Sequence, residues 1–189
     1  MKAEPRQRLL DTAATLFYER GIPNVGINEL VDQAGVARMT LYHHFASKDE
    51  LVTATLARRG ESRRADLQSR LSKCRSPQAK VRALFELIEA AYRGKRYRGC
   101  AFINAALETA DPASSVHAEV AKHKAWVRDA MRCVAHEAGA RHPGRLAQQL
   151  VMLWDGALVE SYIQQSPRLA AVAREAAETL LAAATQATR

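Results

Sequence analysis

Apolar residues recur at three- and four-residue spacing through most of the chain, a period that predicts helices. Leu9, Ala13, Leu16 and Phe17 form such a stripe and predict a helix over 5–20, opened by Pro5 and stopped by Gly21. Leu30, Val31 and Ala34 predict a short second helix from residue 27, with Gly26 before it and Glu29 in its first turn, where a negative charge suits the helix dipole. Gly35 follows at once and suits the left-handed backbone that ends a helix, and Val36 plugs the corner. Leu41 and Phe45, four apart, anchor a third short helix. Ser47 and Glu50 read as a capping box for a fourth helix from Lys48 to about Cys74, with Leu51 and Val52 turned inward and a polar second half. Pro77, behind Ser76, opens a fifth helix striped by Val81, Leu84, Phe85, Ile88 and Tyr92. A short apolar sixth begins at Gly99 and stops near Asp111-Pro112. A seventh, capped by Ser114 or Ser115, ends at Gly139. The eighth runs over 143–165 and the ninth over 167–187, with Ser166 and Pro167 as its cap and first position. No stretch alternates like a strand for long. The expectation is an all-α fold of about nine helices, with a head over 1–60 and a helical bundle over 61–189.

The polar positions of the third helix change the picture from fold to function. Opposite Leu41 and Phe45 it shows Arg38, Met39, Thr40, Tyr42, His43 and His44, mostly hydrogen-bonding groups with no charge run and no glycine. A short helix held by two apolar residues, with an open polar face and a tight turn before it, is what a helix-turn-helix offers to the major groove. Hydroxyl and imidazole groups reach phosphate oxygens, and Lys48 stands at a helix N-terminus, itself an anion site. Arg38 has the fork that grips guanine in two places. His43 and His44 as merely solvated side chains is the plainer alternative.

The segment GVARMTLYHHFASKDELV closely resembles the helix-turn-helix of TetR/AcrR-type transcriptional regulators. A small residue before Gly-Val, then Thr-Leu-Tyr-x-His-Phe, then Ser-Lys-x-Glu-Leu carries the likeness, which reaches back to Arg8-Leu-Leu-Asp-Thr-Ala and Leu16-Phe17 and ends near Leu56. It covers about the first third of the chain. The rest is similar only in length and helical character. The resemblance implies a ligand-responsive regulator of transcription, a repressor, acting as a homodimer on operator DNA. It implies phosphate roles for Tyr42, His44 and Lys48, and base-reading roles for Asn28, Arg38, Met39 and His43. It also implies an effector pocket in the bundle, whose candidate walls are Phe85, Ile88, Tyr92, Cys100, Phe102, Ile103, Asn104, Trp126, Trp154 and Tyr162. Most of these serve equally as ordinary core. Asn104, polar in an apolar helix, needs a partner if buried.

Charge refines the reading of DNA binding. The 189 residues carry a net charge of +8, which suits a polyanion partner. The excess is not in the head, which is nearly balanced, but in residues 61–100, where Lys/Arg outnumber Asp/Glu by 11 to 4. Contact with DNA therefore rests on the motif and not on bulk charge. Arg93, Lys95, Arg96 and Arg98, around Tyr92 and Tyr97, read as a solvated basic connector.

Other chemistry finds little footing. The three cysteines, Cys74, Cys100 and Cys133, form no CxxC pair and no disulfide framework. Cys100 lies between the basic run and the start of a helix, two features that favour thiolate, so a thiol- or electrophile-responsive regulator is the alternative reading; a small packing residue is the plain one. Cys133, His136 and Glu137 share one helix turn but gather no further ligand, so no metal and no cofactor is expected. The chain has no GxSxG, no glycine-rich phosphate loop and no HExxH; Asp155 and Glu160 lie five apart, on different helix faces, so no enzyme is expected. No apolar run follows Met1-Lys-Ala-Glu-Pro, and none is long enough to span a bilayer, so a cytoplasmic protein without a leader or membrane partner is expected.

Two apolar stripes remain. Leu146, Leu150, Leu153, Ala157 and Leu158 line helix eight, and Leu169, Val172, Ala176, Leu180 and Ala183 line helix nine. Paired with their copies about a two-fold axis they would form a four-helix contact, the expected dimer interface, which the resemblance also implies.

Overall fold

The computed structural model describes residues 4–94 and 96–186. The opening residues read for a leader, Lys95 of the basic run and the expected last residue of the ninth helix lie outside them. Among the described residues there are nine helices and no strand: α1 (Pro5–Arg20), α2 (Ile27–Ala34), α3 (Arg38–His44), α4 (Lys48–Leu71), α5 (Pro77–Tyr92), α6 (Ala101–Glu108), α7 (Ser115–Glu137), α8 (Pro143–Ile163) and α9 (Arg168–Thr185). The all-α expectation holds, and element starts are mostly as the caps predict. Ser47 accepts from the Glu50 N–H at 3.1 Å while the Glu50 carboxylate accepts from the Ala46 N–H at 2.6 Å, so the box at the head of α4 satisfies two otherwise orphaned donors. Ser76 takes the Ala79 N–H at 3.2 Å with Pro77 as the first helical residue. Ser114, rather than Ser115, caps α7.

The start of α9 differs. Ser166 makes no side-chain cap; the cap position is Pro167, already helical at φ −71° and ψ −15°. The chain turns there through Gln165 at φ +50°, and the Ser166 N–H bonds back to the Ser161 carbonyl at 3.1 Å. Main-chain bonds do the work assigned to the hydroxyl.

The described chain falls into two compact units, and they do not follow the division at residue 60. The first joins the chain up to Arg63 with Ala101–His123; the second joins Arg64–Cys100 with the chain from Lys124 onward. Residues 101–123 belong with the head because α6 and the start of α7 are bonded into it: the Glu108 carboxylate accepts the Ile22 N–H at 2.7 Å, and the Thr53 and Ser115 hydroxyls meet at 3.0 Å. Its core is made by Leu9, Ala13, Val25, Leu30, Leu41, Phe45, Leu51 and Val52, all essentially free of solvent.

In the second unit α9 packs against both α5 and α8. Val81, Leu84, Phe85 and Ile88 of α5 meet Leu146, Ala147, Leu150 and Ala157 of α8 and Ala170, Ala177 and Leu181 of α9 in one buried cluster. Arg82–Glu178 and Arg174–Glu89 tie α5 to α9 at its rim; being partly solvated, each contributes little.

Candidate functional site

The site begins at the turn between α2 and α3. Gly35 adopts φ +62° and ψ +42°, the left-handed region that a Cβ disfavours. Its N–H bonds the Asp32 carbonyl at 3.1 Å and the Val36 N–H bonds the Val31 carbonyl at 3.0 Å. This pair of bonds satisfies the last carbonyls of α2 and fixes the angle at which the chain leaves it. The Arg8 guanidinium of α1 donates to the Gly35 carbonyl at 3.0 Å, so a second helix braces the turn. Nothing in the periodicity flags Arg8, which acts 27 residues from its partner.

α3 then runs for seven residues with Leu41 buried beneath it and Phe45 closing it. Arg38, Met39, Tyr42 and His43 are exposed, Met39 at 77% of its full surface, while Thr40 and His44 are half-buried. A methionine left that open in a well-packed head is available for contact, not for core. The Arg38 guanidinium lies 5.7 Å from the centre of the Tyr42 ring, one turn on, so base-reading and phosphate-reading candidates stand side by side. The His43 and His44 rings meet edge to face at 5.2 Å. Asn28 is exposed in the first turn of α2.

Lys48 is placed less freely than the motif suggests. Its ammonium donates to the Ile22 carbonyl at 2.5 Å and lies 6.0 Å from the Phe17 ring centre. Burial pulls its pKa below the ordinary lysine value, and neighbouring Asp49 partly restores it. An ammonium has three donors, so the bond to Ile22 leaves two for a phosphate.

The expected effector walls divide between the two units. Phe85 and Ile88 are fully buried members of the second unit's core. Trp154 meets Phe85 edge to face at 6.0 Å and packs on the same cluster, as does Trp126, over which the Arg64 guanidinium sits. Tyr92 lies against Tyr97, Tyr162 is exposed, and Cys100 is half-buried directly before α6. In the first unit Phe102 is buried and stacked on His123 with centroids 3.6 Å apart, and Ile103 and Asn104 are half-buried. Asn104 lines a cavity of about 30 Å³ with Phe17, Tyr18, Leu56, Arg59 and Glu108. That volume admits a single water and no effector.

The expected dimer residues also divide. Leu146, Leu150 and Ala157 are buried inside their own chain, because the apolar stripe of α8 faces the cluster formed with α5 and α9. Leu153, Leu169, Ala176 and Leu180 are partly covered, and Val172 is 59% exposed. The most open apolar side chains of α8 are instead Met152 and Ile163, at 70% and 62%. Periodicity finds the most apolar face of a helix, and in a monomer's bundle that face turns inward. Among the described residues no three His, Cys, Asp or Glu gather as a metal site would need, and Asp155 is paired with Lys124. No helix of the described chain is long and apolar enough to cross a membrane.

Comparison with known proteins agrees with the head and extends past it. The family model for bacterial regulatory proteins of the tetR family matches residues 9–55. A crystal structure of a TetR-family transcriptional regulator from Streptomyces coelicolor superposes with a TM-score of 0.90 at 33% identity, covering 96% of each chain. Among curated relatives, the transcriptional activator FasR of Mycolicibacterium smegmatis is 36% identical over 97 residues, which are 49% of this chain and 44% of that protein. The repressor KstR2 of Rhodococcus jostii is 46% identical over 55 residues, 29% of this chain and 27% of that one. The match thus spans less than half the length of either curated relative. With the head matched by the family model and the whole fold shared at 33% identity, the chain belongs to the TetR family of bacterial regulatory proteins, a family of transcription regulators and not of enzymes.

Proposed function

We propose that the protein is a homodimeric, sequence-specific DNA-binding repressor of transcription that a small-molecule effector releases from its operator. The observation that carries the DNA-binding reading is the exposed face of α3: Arg38, Met39, Tyr42 and His43 open to solvent above a fully buried Leu41. Arg38, Met39, His43 and Asn28 read base edges; Tyr42, His44, Thr40 and Lys48 hold the phosphate backbone. Two copies must hold their recognition helices about 34–36 Å apart to enter successive major grooves. An effector that binds better to a state of different spacing lowers operator affinity by its differential affinity.

Selection of duplexes from a random library, followed by titration of the enriched sequence, tests this reading. Tyr42→Ala should weaken binding to every sequence alike. Arg38→Ala should change the preferred sequence, by about 1–3 kcal/mol at one base pair if it grips guanine twice. Equal binding of both variants and wild type to the selected site would sink the assignment. The second reading, release through thiol chemistry, is favoured by the half-buried, unpaired Cys100 at the entrance to α6. Peroxide that releases wild type and Cys100→Ser alike excludes it.

A further inference from the structure

The loop between α1 and α2 is a tight turn in which the Val25 N–H bonds the Ile22 carbonyl at 3.4 Å and the Asn24 amide bonds the Arg20 carbonyl at 2.9 Å. Gly26 caps α2 with no side-chain bond. Two groups distant in sequence add to these local bonds, one on each side of Ile22. The Ile22 N–H donates to the Glu108 carboxylate, at 2.7 Å and 86 residues away. The Ile22 carbonyl accepts from the Lys48 ammonium at 2.5 Å.

The backbone is built to let Glu108 in. Gly21 has φ +88° and ψ +148°, open only to glycine, and a Cβ there would lie 3.0 Å from a Glu108 carboxylate oxygen. The carboxylate therefore lies against the place a side chain would take, and any other residue at 21 would strain the backbone and require the carboxylate to shift.

The two bonds on Ile22 are not independent. Pro23 follows, and the ring of a proline confines the preceding residue to the extended region. The N–H and the carbonyl of Ile22 belong to successive peptides joined at its α-carbon, so with ψ restricted the hold of Glu108 on the first peptide, together with the Val25 N–H on the carbonyl, limits where that carbonyl points. Glu108 thus helps to set where Lys48 finds its acceptor. Lys48 is also the first residue of α4, whose orphan N–H groups are capped by Ser47.

We propose that Glu108 is a positioning residue for Lys48: by holding the Ile22 peptide it aims the ammonium for a backbone phosphate of the operator. This rests on the assignment of Lys48 as a phosphate contact in the DNA-binding reading above.

The test measures operator affinity of the full-length protein across a series of salt concentrations. Losing a phosphate contact lowers the slope of log affinity against log salt by about one per protomer, a readout that simple loss of stability does not move. Glu108→Ala should lose roughly tenfold in affinity, as a charge-assisted bond is worth, together with that drop in slope. Glu108→Gln, whose amide oxygen still accepts the Ile22 N–H, should keep both near wild type. In a Lys48→Ala background Glu108→Ala should have no further effect on the slope. If Glu108→Ala melts below the assay temperature, Glu108→Met, which keeps the apolar stem, takes its place. A wild-type slope in Glu108→Ala with a lowered slope in Lys48→Ala overturns the role of Glu108 alone. A wild-type slope in Lys48→Ala overturns the proposal with its premise, and failure of wild type to select any duplex overturns the DNA-binding reading beneath both.

Discussion

Arg8 and Gly35 meet through a 3.0 Å bond from guanidinium to carbonyl, and a Cβ on Gly35 would stand 3.3 Å from the donating nitrogen. The turn thus needs glycine for its left-handed backbone, and the Arg8 guanidinium would have to move slightly to admit a Cβ. Gly35→Ala should destabilise by about 1–2 kcal/mol from backbone strain alone. Gly144 makes the contrast, lying in the first turn of α8 with open space where its Cβ would go. Gly144→Ala should stabilise by about 0.4–1 kcal/mol through the unfolded chain. Urea unfolding of the two variants checks both signs; equal shifts would refute the reading of the turn.

The capping box makes a smaller claim. Ser47→Ala removes the acceptor of the Glu50 N–H and should cost about 1 kcal/mol. The loss should appear as a lower midpoint in thermal or urea unfolding. A variant as stable as wild type would mean that water replaces the hydroxyl without penalty.

Local chemistry was legible in the sequence and long-range pairing was not. The glycine of the turn, the box at Ser47 and the cap at Ser76 each act within a few residues, where spacing alone predicts the bond. Arg8 on Gly35 and Glu108 on Ile22 span 27 and 86 residues, and no periodicity registers them. The bond from Glu108 is also why α6 joins the head's unit when the sequence divides near residue 60. The pocket list was not legible for a different reason: Phe85 and Ile88, buried in the core cluster, are as apolar as a cavity wall and as a core, and composition does not distinguish the two.

Lys48 carries a pH prediction whose sign follows from its burial. Desolvation lowers its pKa from the ordinary value of 10.5, with Asp49 opposing. A cation whose pKa is lowered by folding weighs against the fold while it is charged, and that burden is relieved as pH rises through the lowered pKa. Attraction to a phosphate runs the other way and fades over the same window. Arginine keeps its charge throughout. Operator affinity of wild type should therefore fall on the alkaline side before that of Lys48→Arg, while Lys48's own contribution to stability does not fall with it. Matching affinity profiles for the two proteins would remove Lys48 from the DNA contact.

The last prediction concerns the dimer. Of the large apolar side chains left exposed in the described chain, Met152, Tyr162 and Ile163 are on α8 and Val172 is on α9. Met152, Gly156, Val159 and Ile163 fall on one face of α8 at helical spacing, and nothing lies within 4 Å of where a Gly156 Cβ would be. A glycine inside a helix costs stability unless something uses the space, and a close-packed partner helix is such a use. The stripe of Leu146, Leu150 and Ala157 is already occupied within its own chain, so charge introduced there would unfold the bundle and say nothing of assembly. Leu180 is also poorly suited, being packed against that core. Met152→Glu with Val172→Glu alters only exposed positions. The double variant should keep its helix content and melting temperature as a monomer while losing the wild-type dimer in sedimentation. It should also lose operator affinity with its head untouched, since one head makes only half the contacts. A stable dimer of the folded double variant would move the interface off this face of α8 and α9.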